Sequence, residues 1–143
     1  MKNLNFFIKK HLIIKKIKNN IYIFCIIRKK FISFNKEEVV RQYIIFILKN
    51  KNYKDSNFCL EFPIYKNGKL FFLDMLIKKN NLPYIIIECK SPLININQKT
   101  FDQISIYNKI INSPYLMISN GIQHFIFKLN KYKKKFFFIK FIP

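Results

Sequence analysis

Asp74, Glu88 and Lys90 are the residues of this 143-residue chain whose types and spacing best suit chemistry. Residues 83–92 read PYIIIECKSP, an isoleucine run closed by a glutamate and a lysine with a cysteine between them. Alternate side chains of a strand share a face, so Glu88 and Lys90 project together. A hairpin with its turn centred near Asn81 sets Asp74 opposite Glu88, and opposed residues on one face have Cβ atoms about 4.5–5.5 Å apart. Two carboxylates and an ammonium therefore converge. Carboxylates this close repel, and one pKa rises unless a cation stands between them. Lys90 offsets part of that repulsion. A hard divalent ion such as Mg2+ (or Mn2+), which favours oxygen ligands, offsets more. Such an ion polarises a phosphoryl oxygen and acidifies its bound water. A neighbouring ammonium stabilises charge that develops in the transition state. That is equipment for phosphodiester hydrolysis. The same three residues would equally make a cross-strand salt bridge with no chemistry attached.

The surrounding elements have to position these groups. Residues 21–27, IYIFCII, read as a short buried strand, and 28–35 as a connection. Asn35 and Glu38 have capping-box spacing and open a helix running to about Lys49. Three strands follow: Phe58 to Tyr65, Leu70 to Ile77 and Tyr84 to Lys90. Asn67-Gly68 suits a two-residue hairpin between the first two. KKNNLP suggests a looser turn before the third, which Pro92 stops. A second helix spans about Lys99 to Ile111, and strands at 114–119, 123–129 and 135–141 finish the chain. The class is α/β (α+β): helix, three strands, helix, strand, then a hairpin. Gln103 and Tyr107 stand four apart on the second helix and share a face. Gln103 also suits a capping partner of Thr100, and Tyr107 a core position.

Composition bounds the rest. The length fits one domain with a real core. Cys25, Cys59 and Cys89 are odd in number and lack CxxC spacing, and the two histidines, His11 and His124, are scattered. Buried free thiols in a reducing cytoplasm follow from that, rather than a zinc cluster. His124 reads as structural. The formal charge is +20, from 27 Lys+Arg against 7 Asp+Glu. It favours polyanions, nucleic acid first. It also matches a chain crowded with Lys, Ile, Asn and Phe, whose codons are nearly all A and T, so charge alone does not establish function. No apolar run approaches the roughly 18 residues of a membrane span. Residues 1–20 lack a signal-peptide core and are expected as a basic extension, poorly ordered or loosely docked; membrane-surface binding through them is not favoured. The only two glycines, Gly68 and Gly121, sit at turns, which excludes a Gly-rich phosphate loop. A GxSxG elbow is absent too.

Asp74, then Glu88-Cys89-Lys90, then Gln103 to Tyr107, resembles the pattern of the PD-(D/E)xK nuclease superfamily. With IIRKKFISFNKEEVVRQ, TFDQISIYN and PYLMISNGIQH added, residues 21–143 more closely resemble the N-terminal nuclease domain of type I restriction enzyme R subunits, in its stand-alone bacterial form. The resemblance implies an αβββαβ core with a mixed central sheet flanked by helices, Mg2+ dependence, and DNA as substrate of an endonuclease. Asp74, Glu88 and the Cys89 backbone carbonyl would hold the metal. Lys90 would be the catalytic lysine. Glu38 matches the family's additional acid, acting through water. Gln103 and Tyr107 would orient the site and contact DNA. Helicase or specificity subunits encoded elsewhere are the partners implied. The alternative is a nucleic-acid-binding protein that keeps the fold without cleaving.

Overall fold

A computed structural model describes residues 3–143. The chain runs α1 (Leu4–Lys10), β1 (Ile14–Ile17), β2 (Asn20–Cys25), β3 (Lys30–Ser33), α2 (Lys36–Asn50), β4 (Phe58–Lys66), β5 (Lys69–Lys79), β6 (Leu82–Cys89), α3 (Gln98–Ile111), β7 (Tyr115–Ser119), β8 (His124–Asn130) and β9 (Lys135–Ile139). Strands β4 to β9 form one six-stranded sheet in chain order, with β4 and β9 at its edges. All neighbours pair antiparallel except β6 and β7, which run parallel across the α3 crossover. The expected αβββαβ core is present as α2-β4-β5-β6-α3-β7, followed by the β8-β9 hairpin.

The two helices cover opposite faces of this sheet. Under α2, Val40, Tyr43, Ile44 and Leu48 pack on Met75, Ile77, Ile85 and Ile87. Under α3, Ile104 and Tyr107 pack on Leu73, Leu76, Ile86 and Ile118. The near-continuous isoleucine run of β6 follows from burial on both faces. Both hairpin turns that bracket β5 are tight. Asn67 and Gly68 take positive φ, as expected. So do Asn80 and Asn81, with φ of 52° and 61°. KKNNLP is therefore not the looser turn its length suggested, because two asparagines tolerate the left-handed region that a two-residue connection requires.

The N-terminal third differs most from expectation. Residues 21–27 do not join the main sheet. They supply β2, the centre of a separate three-stranded sheet with β1 and β3, and the segment expected as a connection contains β3. Within the expected extension, α1 is docked, while β1 is exposed along its length. Asn3 caps α1, and Leu4 and Phe7 are buried in the core under α2. Leu4 seats against Gly121, whose φ of +87° and missing Cβ make the close approach feasible. Met1 and Lys2 of the expected extension lie outside the described residues. Among the described residues no helix is long and apolar enough to cross a membrane.

Candidate active site

The site forms where the β5-β6 ladder stops. Its last pair is Met75↔Ile87, so Asp74 and Glu88 come next, in the register the hairpin count requires. β4 contributes an irregularity at the same level. Leu60 pairs with Met75 and Phe62 with Leu73, but Glu61 and Asp74 between them are left out of the ladder. Glu61 lies at φ +51°, a left-handed conformation costly for a residue with a Cβ. Leu73 and Met75, two apart, consequently enter the cores on opposite faces. β5 thus turns over at Asp74 and aims that carboxylate away from a regular strand position.

Asp74 is held on both oxygens. Its Oδ2 accepts the Cys89 amide at 2.6 Å, a donor the interrupted ladder leaves to it. Its Oδ1 accepts from Arg41 Nη2 at 2.6 Å. Glu88 stands against Asp74, 7 % exposed, and its Oε2 is buried with no hydrogen-bond partner. Burial first, and then the adjacent Asp74 carboxylate, push the Glu88 carboxyl up to about 9, although Lys90 pulls the other way. Lys90 Nζ lies 4.0 Å from Glu88 Oε1, partly open to solvent. Its backbone is fixed by an N–H···O bond of 2.8 Å to Ser119 on β7. Asp74, Glu88 and Lys90 are thus brought together as the sequence suggested.

The first turn of α2 supplies two more acids. Asn35 Oδ1 accepts the Glu38 amide at 2.7 Å, so the helix is capped as expected. The Glu38 carboxylate is not used for a reciprocal cap. Its Oε1 accepts from Arg28 at 3.2 Å and its Oε2 from Arg41 at 2.7 Å, and it is 2 % exposed. The neighbour Glu37, not singled out by sequence, faces the site instead. Burial and then Asp74 raise its pKa, while Lys90 and Arg41 oppose that. Sequence reasoning also missed Arg41 and Arg28. Burial works against charge on Arg41, but Asp74 and Glu38 outweigh it and keep the guanidinium protonated. Arg28 continues to Glu61 at 3.2 Å. Composition held one signal for both: they are the only arginines among 27 basic residues.

Gln103 and Tyr107 bond to each other, Nε2 to OH at 3.0 Å, on the helix packed against β6 and β7. Gln103 is not the cap of α3, since Asn97 accepts the Thr100 amide. Tyr107 is buried against Phe71. Together they line a shallow groove with Lys66, Lys99 and Phe71, and do not join the ion pairs of the acidic cluster. His124 is structural: its Nδ1 lies 2.7 Å from Ser119 Oγ, which also accepts the Gly121 amide.

Residues 36–143 match the family described as type I restriction enzyme R protein N terminus. The chain belongs to this family. The match starts at the first residue of α2, takes in every site residue named above except Arg28, and leaves out α1 and the three-stranded sheet. No curated protein and no solved structure matches the chain.

The donor set can be tested for a metal. Among the described residues no three His, Cys, Asp or Glu side chains form a ready-made cage. A structural zinc site would need such a cage. Mg2+ differs: it keeps several waters and needs only one or two carboxylates. The buried Glu88 carboxyl stands against Asp74, a pair of acids whose repulsion a cation relieves. Glu37, Glu38, Glu61, Asp74 and Glu88 stand against Arg28, Arg41 and Lys90, five acidic side chains against three basic ones. The residues fit a hydrated divalent cation.

Proposed function

We propose that this member of the type I restriction R-protein N-terminal family is a Mg2+-dependent DNA endonuclease domain, with Mn2+ as a substitute. The observation that carries the reading is the meeting of Asp74, Glu88 and Lys90 at the broken end of the β5-β6 ladder. Asp74, Glu88 and the Cys89 carbonyl would hold the ion, with Glu37 joining through water. That outer place is better filled by Glu37 than by Glu38, whose two oxygens are already taken by arginines. When bound, the ion supplies Lewis-acid polarisation of the phosphate and an acidified water. The chain's own groups do the rest. Lys90 orients the attacking water and stabilises charge developing on the phosphate. Gln103 and Tyr107 steady the DNA backbone along α3, beside Lys66 and Lys99. Helicase or specificity subunits encoded elsewhere would choose the DNA to be cut.

The test is plasmid cleavage with Mg2+, with Lys90→Ala as control. Nicking is expected from the parent chain and a loss of about 10²-fold or more from the variant, the scale of removing one preorganised charge. Equal nicking by both, or none by either, rejects the reading. One observation favours a second reading, binding without cleavage: both Asp74 oxygens already have partners. It requires DNA binding that survives Asp74→Asn and Glu88→Gln and needs no Mg2+.

A further inference from the structure

We propose that Arg41 is the internal counter-ion of the acidic cluster, a positioning residue that competes with a divalent cation for the charge of Asp74 and so keeps metal affinity low. This rests on the reading of Asp74 and Glu88 as metal ligands, and adds what sets the strength of that binding. Arg41 Nη2 is 2.6 Å from Asp74 Oδ1 and Nη1 is 2.7 Å from Glu38 Oε2. Its side chain is 10 % exposed, so this is not a surface pair that water weakens to nothing. The planar fork spans two carboxylates from two elements, the task for which arginine rather than lysine is suited. Both arginines of a lysine-rich chain converge on Glu38.

The electrostatics decide the role. Two acids side by side in a buried site need a cation. With the ion absent, Arg41 is the group that meets Asp74. A bound ion would share Asp74 with the guanidinium, two like charges drawn to one carboxylate. Each therefore raises the cost of the other. Neutralising residue 41 takes one positive charge out of the cluster and removes that repulsion.

The experiment measures Mn2+ binding by calorimetry and Mn2+-dependent melting on the intact chain at neutral pH, without DNA. The variants are Arg41→Gln, which can still donate a hydrogen bond but is neutral, and Arg41→Lys, which keeps the charge. Arg41→Gln is expected to bind Mn2+ about tenfold tighter or more, from removing a like charge a few ångström away. Its Mn2+-induced rise in melting temperature should exceed that of the parent. Arg41→Lys, which keeps the charge but cannot span both carboxylates, should bind Mn2+ less tightly than Arg41→Gln. An Arg41→Gln chain that is unfolded in chelator and folds on adding Mn2+ shows the same effect in stronger form. Weaker or unchanged Mn2+ binding by Arg41→Gln, or a chain that stays unfolded in both conditions, overturns the inference while leaving metal binding by the parent intact. Absence of Mn2+ binding in all three chains instead rejects the metal reading of the site, and the counter-ion role with it.

Discussion

Glu88 is the residue whose chemistry is most altered by its surroundings. A carboxyl raised from 4.5 to about 9 keeps its proton in the folded chain while the unfolded chain has lost it. Between those values the folded state binds more protons, so Glu88 erodes stability as pH rises through this window. Glu88→Gln, which cannot ionise, should therefore melt higher than the parent in chelator. The gap should widen from about pH 5 to pH 8, by at most about 1.4 kcal/mol per pH unit. Thermal melts at several pH values check this, and a gap that narrows contradicts it. Asp74, Glu88 and Lys90 were legible because their meeting depends only on strand alternation and one hairpin count. Glu37, Arg41 and Glu61 were not. They reach the site from α2 and β4, through packing and a left-handed backbone turn that no local pattern announces.

At the level of elements, α1 docks on α2, and that docking is open to test. Phe7 is buried against Tyr43 and Phe46. Phe7→Ala should cost about 3–5 kcal/mol, as for other buried phenylalanines, measured by denaturant unfolding; a change near zero would mean that α1 does not hold to the core. Gly121→Ala tests the other side of the same contact. The new Cβ would meet Leu4 Cδ2 at 2.9 Å and Val40 Cγ2 at 3.2 Å, at φ +87°. A loss of about 1–3 kcal/mol is expected from strain and overpacking together. The order of α2, β4 to β7 and α3 could be read from periodicity, caps and Asn-Gly turns. Of the small sheet only the central strand β2 was legible; β1 and β3 were not, because they are short and carry lysines among their apolar residues. The turnover of β5 at Asp74 was equally hidden, since an irregular ladder leaves no trace in alternation.

For the whole molecule, charge is separated rather than spread. All four glutamates and Asp74 gather in one cluster, which leaves Asp55, paired with Lys49 and Lys29, and Asp102 as the acids outside it. The surface beyond the site is thus almost wholly cationic, a field that favours polyanions around the acidic cluster. DNA affinity should fall steeply with salt, log Kd changing by about 0.9 per tenfold in salt for each phosphate neutralised. Asp74→Asn should leave that slope unchanged, because the lysines rather than the site set it. Anisotropy titrations of a duplex across a salt series give both numbers. The rim of the main sheet carries a further implication. β9 ends the sheet with Phe137 and Phe138 open to water, amid Lys131, Lys133, Lys134, Lys135 and Lys140. Unsatisfied strand edges of this sort invite self-templating, and mutual repulsion between copies is what forbids it. Purification in concentrated salt would remove that protection, and turbidity should grow with ionic strength until Phe138→Lys restores clarity.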